Sequence, residues 1–170
     1  MPRLRSAPLA RFLIAVTSLC VGQTVQRYSS VRIDSNRDLH IVLATGREVI
    51  PQMEKGQISY SEVSISADHT TVGWLADYPD PTVTYYRGAT IAGELVLFRS
   101  GRFLRRIPTD QVFWDWKFVD QGRKVAYSTG PTHGGAAECV LRDVDSGAVL
   151  ARWNVDRKGT PPDWARSLNF

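Results

Sequence analysis

The chain of 170 residues contains only two cysteines, Cys20 and Cys139. Cys20 lies in a segment that we expect to be removed, and a single remaining cysteine excludes an internal disulfide. Cys139 occupies an apolar strand position in ECVLRDV, where we expect a buried, unreactive thiol. An apolar run long enough for a bilayer is also missing. The stretch FLIAVTSLCVG (12–22) has eleven residues, whereas a spanning helix needs about twenty.

The usual sequence signatures of catalysis are missing too. The chain has no Gly-x-Ser-x-Gly elbow, no phosphate-binding loop and no dinucleotide fingerprint. It also has no histidine and cysteine spacing typical of zinc sites and no Asp-rich calcium loop. From these absences we predict no catalytic residue, no metal and no cofactor.

The first 22 residues differ in composition from the rest. Arg3, Arg5 and Arg11 precede the apolar run 12–22, and Gly22 supplies a small residue before a cleavage site. A basic segment, a short apolar segment and a small residue are typical of a secretory signal peptide. We therefore predict a signal peptide over 1–22, no transmembrane span after its removal, and export to the periplasm or the medium. A core helix is the alternative, but no capping signal continues the pattern.

The positive charge of the chain comes largely from this leader. The full chain has 21 basic and 17 acidic residues, a formal charge of +4. Removing the three leader arginines leaves 18 basic against 17 acidic residues, or +1. Since nonspecific nucleic-acid binding needs a basic face, we expect no nucleic-acid partner.

An internal repeat organises the remaining sequence. SADHTTVGW (66–74) matches VDQGRKVAY (119–127), because both have turn residues around an Asp followed by Val-x-aromatic. GELVLFRSGRFLRRI (93–107) matches AECVLRDVDSGAVLARW (137–153), and LHIVLATGREVI (39–50) has the same strand–Gly–strand form. The glycines Gly46, Gly101 and Gly147 correspond, with spacings of 55 and 46 residues that are typical of repeat architectures.

Period-2 alternation of Val, Ile and aromatic residues predicts short antiparallel strands in each unit. We predict an all-β fold of about two and a half four-stranded, propeller-like blades over 39–155; a β-sandwich is the alternative. A linker over 23–38 precedes it, and a tail over 156–170 follows, with a short helix capped by Asp163. The predicted strands are 62–66, 71–76, 94–99, 102–107, 112–119, 123–128, 137–143 and 148–153.

One strand carries an unusual density of aromatic residues. In VFWDWKFV (112–119), strict alternation places Trp114, Trp116 and Phe118 on one face, with Phe113 and Asp115 on the other. We expect the face of Trp114, Trp116 and Phe118 to lie in the core; an aromatic platform for sugar stacking is the alternative.

The two matched segments resemble a known repeat family. SADHTTVGW and VDQGRKVAY are similar to the Ser-Pro-Asp-Gly-x-x-[Val/Ile]-x-[Phe/Tyr] core of TolB-type and Trp-Asp-repeat β-propeller blades. CVLRDVDSGAVLARW resembles the strand–turn–strand segment that follows it. The resemblance covers roughly 39–153 and implies blade architecture, with Ala67 in place of the Pro and His69 in place of the Gly. The chain also resembles small exported bacterial proteins of unassigned function, from which no catalytic residue carries over.

Two and a half blades cannot close into a propeller, which typically needs at least four. The chain then forms an open layered structure, assembles as a homo-oligomeric ring, or packs its strand edges against a partner. Unpaired strand edges favour pairing with another chain, so partner binding has a physical motive.

Two loops predict where a binding site would lie. Equivalent loops of neighbouring blades share an edge, and the segments 76–93 and 129–137 are both longer than a hairpin needs. The second contains His133 beside two glycines, for which a backbone-bonded loop residue is the alternative to a ligand-binding role. The candidate binding residues are Asp77, Tyr78, Asp80, Tyr85, Tyr86, Arg87 and His133.

From these features we expect a non-catalytic binding module for a protein partner or extracytoplasmic ligand, acting through these loops or an open sheet edge. One alternative is a hydrolase that uses His133 with Asp77 or Asp80 as acid–base groups. The other is a structural subunit of a homo-oligomeric ring.

Overall fold

The computed structural model describes residues 25–80, 89–156 and 159–169, and this part of the chain is all-β. It forms three antiparallel sheets of three, four and four strands, none of them closed. The strands are β1 (Tyr28–Ile33), β2 (Leu39–Leu43), β3 (Glu48–Val49), β4 (Ser59–Ile65), β5 (Thr71–Pro79), β6 (Thr90–Arg99), β7 (Arg102–Pro108), β8 (Val112–Val119), β9 (Lys124–Gly130), β10 (Glu138–Asp143) and β11 (Val149–Asn154).

Each sheet is a meander whose spatial order follows the chain. The first sheet is β1-β2-β3, the second is β4-β5-β6-β7 and the third is β8-β9-β10-β11. All eight predicted strands are present, with ends that differ by a few residues. The corresponding glycines, Gly46, Gly101 and Gly147, have φ angles of 83°, 74° and 73° in the turns that join the last two strands of each sheet, as the repeat predicts.

The segment predicted as a linker, 23–38, contains strand β1. The strand pairs with β2 through Val31 opposite Ile41, and Val31 and Ile33 pack against the core between the first two sheets. Its sequence, YSSVRI, has two serines and an arginine and therefore shows little apolar alternation. The segment forms a strand because it pairs with β2, although its own sequence has no clear strand pattern.

The second sheet lies between the other two. Strand β5 is buried on both faces from Thr71 to Asp77, because alternate residues contact different sheets. Trp74 packs with Leu39 and Ile41 of the first sheet, whereas Leu75 packs with residues of the third. Each aliphatic side chain fully buried in this way contributes roughly 1.5–3 kcal/mol.

The contact between the second and third sheets centres on Trp116 of β8. Its indole lies over the backbone of Gly73, and its Nε1 donates a hydrogen bond to the carbonyl of Glu62 at 3.0 Å. Val125 and Leu95 complete this apolar layer from their own sheets. A residue without a side chain at position 73 is what allows the ring to approach the second sheet so closely.

The other face of the third sheet is covered by the C-terminal segment. Ala165 and Leu168, in and just after helix α1 (Asp163–Arg166), are buried against Cys139. The backbone N–H of Asn169 donates to Asp115 Oδ2 at 2.7 Å, which fixes the segment to β8. The predicted short helix is present, but Pro162 holds the N-cap position and Asp163 is the first helical residue. Within the described ranges, no helix has the length and apolar character needed to cross a membrane.

The outward face of the first sheet is polar. The imidazole of His40 lies between two carboxylates, with Nε2 3.1 Å from Asp34 Oδ2 and Nδ1 2.9 Å from Glu48 Oε1. Arg32 Nη2 donates to the same Glu48 oxygen at 2.9 Å. This ion-paired surface ends the stack of sheets on the side opposite α1.

Candidate functional site

A cleft forms at the edge of the stack where the end of β5 meets the connections after β7 and β9. Its volume is about 440 Å³. Asp80 reaches it from the second sheet and His133 from the loop that follows β9 in the third. It is lined by Asp80, Ile91, Asp110, Gln111, Pro131, Thr132 and His133.

A second cleft of about 520 Å³ adjoins the first, and Asp110 and Gln111 line both. This cleft runs between the β7–β8 connection and the inward face of β9, β10 and β11. We call the two clefts together the loop-edge groove. The residues that line the second cleft are Pro108, Thr109, Asp110, Gln111, Tyr127, Thr129, Glu138, Val140, Arg142 and Arg152.

Charges of both signs lie in the second cleft. Arg152 forms an ion pair with Glu138 across the β10–β11 ladder. Arg142 Nη2 donates to the Tyr127 hydroxyl at 3.2 Å, while its Nε is buried with no hydrogen-bond partner in the described part of the chain. Its Nη1 donates to the carbonyl of Gly147, so the guanidinium is held mainly by contacts within the third sheet.

Glycines shape the loop that carries His133. Gly134 and Gly135 have φ angles of 133° and 89°, which side-chain-bearing residues rarely adopt. A Cβ on Gly130 would lie 2.2 Å from the carbonyl oxygen of Gly135, so the loop folds back closely over the end of β9. This arrangement leaves the side chain of His133 exposed at the cleft.

Asp77 and Tyr78, which the sequence suggests as binding residues, have structural contacts instead. Asp77 is buried, and its carboxylate accepts hydrogen bonds from Ser59 Oγ and Ser61 Oγ, both at 2.8 Å. The Tyr78 hydroxyl lies 3.5 Å from Glu94 Oε2, and burial, with the Glu94 charge, raises its pKa. Both side chains are therefore held within the second sheet. Tyr85, Tyr86 and Arg87 lie outside the described residues.

No acid–base pair is assembled around His133 in the described residues. Asp80 lines the same cleft, but the His133 ring makes no hydrogen bond to a described carboxylate, and each oxygen of Asp77 accepts from a serine. The single thiol of this region, Cys139, is fully buried, and burial raises its pKa to about 11. Its predicted burial is confirmed, and a protonated, inaccessible thiol is a poor nucleophile.

The other two histidines have contacts that the sequence does not indicate. His40 lies between two carboxylates, as described above, and His69 Nδ1 is 2.9 Å from the carbonyl oxygen of Tyr28. Neither lines the loop-edge groove. Across residues 25–80, 89–156 and 159–169, no three His, Cys, Asp or Glu side chains are grouped so as to hold a metal ion.

Sequence reasoning missed most of the polar residues of the groove. Asp110 and Gln111 lie in a short connection without any distinctive motif, and Arg142 and Arg152 lie on adjacent strands of the third sheet. Only the alternation of β10 and β11 places the two arginines on the face of Tyr127, which also carries Glu138 and Thr129. No protein-family model matches the chain, and no curated protein matches it significantly.

Proposed function

We propose that the protein is an exported, non-catalytic binding module that holds a segment of a protein partner in the loop-edge groove. The observation that carries this proposal is the meeting of Asp80 and His133, from two different sheets, in one cleft that also contains Asp110 and Gln111. Loops presented by a packed scaffold are the usual location of binding residues.

The arrangement of the sheets supports a reading of the three meanders as propeller-like blades. Their strands follow chain order, and successive sheets stack face to face through continuous apolar layers. In such a stack the connections between the second and third strands of the two four-stranded sheets share one edge. The loop-edge groove occupies that edge between the second and third sheets.

The chemistry of the groove favours a polypeptide segment. It is open, and the side chains of Asp110, Gln111, Thr132, His133 and Arg152 offer donors, acceptors and charges of both signs. Such mixed polar surroundings suit the alternating N–H and carbonyl groups of a peptide, whose hydrogen bonds are distributed along its length.

Catalysis and ring assembly have less support. A hydrolase needs an acid–base pair within hydrogen-bond reach. Asp77 is held by serines, and although Asp80 lines the cleft with His133, no hydrogen bond joins His133 to a described carboxylate. A ring built through sheet faces needs free faces at both ends of the stack. The outer face of the third sheet is covered by α1, and that of the first carries the ion-paired residues around His40.

Site-specific photocrosslinking in the native cell envelope tests the proposal. A benzophenone amino acid replaces Gln111 in the groove or, as the control, Lys55, an exposed residue that lines neither cleft. We expect a discrete crosslinked protein from position 111 only. In a His133→Ala variant that carries the same probe at position 111, the yield should fall, since the imidazole at the cleft is gone.

A partner crosslinked equally at positions 55 and 111, or unaffected by His133→Ala, would place the contact elsewhere. Failure to crosslink at position 111, with the protein folded and exported, would contradict the groove as the binding site. Circular dichroism of the variants checks that each one retains the β fold.

A further inference from the structure

Two turns on the opposite edge of the stack share a short sequence. Thr45-Gly46-Arg47 joins β2 to β3, and Ser100-Gly101-Arg102 joins β6 to β7. Successive connections in a meander alternate between the two edges. These turns therefore lie at the far end of β6 from the β5–β6 connection, about 30 Å away for a strand of this length.

The two turns line one cleft between the first and second sheets. Its volume is about 790 Å³, and both hydroxyl residues and both arginines contribute to its surface. Arg27, which immediately precedes β1, supplies a third guanidinium, and Gln26 adds an amide. We call this the arginine cleft.

The described residues that line the arginine cleft carry an excess of positive charge. No Asp or Glu is among the described residues that line it. In the described part of the chain, Arg27, Arg47 and Arg102 have no ion pair or side-chain hydrogen bond, although nine ion pairs of Lys or Arg form there. Three like charges at one cleft repel one another, and a bound anion would relieve that repulsion.

Between the second and third sheets, by contrast, arginines are paired with an acidic residue of the equivalent turn. In the third sheet the equivalent turn contains Asp145, two residues before Gly147, and Ala148 in place of the arginine. Asp145 forms an ion pair with Arg99 of the second sheet, and its carbonyl accepts from Arg105 Nη2 at 2.8 Å. Two residues before Gly46, the first turn has Ala44, so the corresponding carboxylate is missing there.

We infer that the arginine cleft is a binding site for a phosphate-type oxyanion that carries two or more negative charges. Planar guanidinium groups bind phosphate oxygens through paired hydrogen bonds, and hydroxyl groups supply further donors. The quasi-equivalent Thr45–Arg47 and Ser100–Arg102 turns each provide one hydroxyl and one guanidinium, which suits a ligand with two anionic ends, such as a diphosphate. The anion is either free or part of a lipid headgroup.

Isothermal titration of the purified protein with inorganic pyrophosphate tests the site. Arg47→Ala/Arg102→Ala should weaken binding about tenfold for each guanidinium removed, because hydrogen bonds to charged groups are the strong ones. The matched control is Lys55→Ala/Arg37→Asn, which also removes two positive charges but outside the cleft. Asparagine is chosen at position 37 because it tolerates the φ of 69° there. The control should bind like the wild type.

A lysine variant separates geometry from charge. Arg47→Lys/Arg102→Lys retains both charges but loses the forked donors, so we expect intermediate affinity. Cosedimentation with vesicles that contain cardiolipin, whose headgroup carries two phosphates, identifies the source of the anion. Arginine-dependent binding to vesicles as well as to pyrophosphate indicates a headgroup, and arginine-dependent binding to pyrophosphate alone indicates a free anion.

Either of two results would overturn the inference. One is the absence of pyrophosphate binding by the wild-type protein at low ionic strength. The other is an equal loss of affinity in the double-alanine variant and in the matched control, which would mean a nonspecific effect of net charge. Partner crosslinking at Gln111 is unaffected in either case, because the two sites lie on opposite edges.

Discussion

The contact between Gly73 and Trp116 allows a quantitative prediction about the packing of the second sheet on the third. A methyl group on Gly73 would lie 2.5 Å from Cη2 and 2.9 Å from Cζ3 of Trp116, whereas ordinary contacts begin at 3.4 Å. The ring must therefore retreat by about 1 Å into a closely packed layer. Its hydrogen bond to the Glu62 carbonyl opposes that movement.

Overpacking of this kind costs about 1–3 kcal/mol, and the lower chain entropy of alanine offsets about 0.4–1 kcal/mol. We expect Gly73→Ala to reduce the free energy of unfolding by about 1–2 kcal/mol, measured by urea denaturation. The melting temperature should fall by about 2–4 °C per kcal/mol. Gly93→Ala on β6 is the matched control. Its methyl group would lie 3.1 Å from the half-buried ring of Tyr78, which has room to adjust.

A double-mutant cycle isolates the contact. Trp116→Phe removes the distal ring atoms that a methyl group on residue 73 would meet, so Gly73→Ala should cost little in that background. If Gly73→Ala is no more destabilising than Gly93→Ala, or if its cost is the same with Phe at position 116, the proposed close packing of the two sheets is wrong.

Two further predictions concern thiol reactivity and acid stability. Because Cys139 is fully buried and its pKa is raised to about 11, it should remain unmodified by iodoacetamide at pH 8 in the native protein and react completely in urea; native-state modification would contradict its burial. Burial raises the pKa of Asp68, but hydrogen bonds from Ser66 and Thr70 lower it more, so the net pKa lies below its ordinary value of 3.8. The stabilising contribution of this carboxylate is present above about pH 4 and is lost as the pH falls through its folded-state pKa. In urea titrations the destabilisation by Asp68→Asn should therefore be smaller at pH 3 than at pH 7. An equal loss of stability at both pH values would refute a stabilising role of the Asp68 carboxylate. The control Asp156→Asn should have little effect at either pH.

The repeat made much of the fold predictable. The spacing of Gly46, Gly101 and Gly147 identified three strand–turn–strand units, because a left-handed turn conformation selects glycine and leaves a mark in the sequence. Strand β1 has no comparable sequence signal, since its formation depends on pairing with β2 rather than on its own composition. The repeat also indicated that Asp80 and His133 lie on one edge, where the structure brings them together.

The aromatic strand β8 shows where alternation misleads. A β-bulge lies between Phe113 and Asp115, so one extra residue opposes the ladder of β9. Residues before the bulge change face. Phe113 joins Trp116 in the core, and Trp114, predicted to be buried, is 38% exposed. A bulge has no reliable sequence signal. The sequence also does not show that a charged residue such as Arg142 lines a groove, because that depends on which sheet packs against it.

Helix α1 and the residues after it cover one face of the third sheet, and this affects whether a further sheet could stack there. Repeat proteins lengthen when a duplicated unit stacks on the exposed face of the last one. Here Ala165 and Leu168 occupy the apolar surface that a further sheet would need. A duplicated unit inserted after β11 could stack only by displacing this segment and exposing its apolar residues. The apolar face of the third sheet is therefore accessible to another sheet only when this segment has left it.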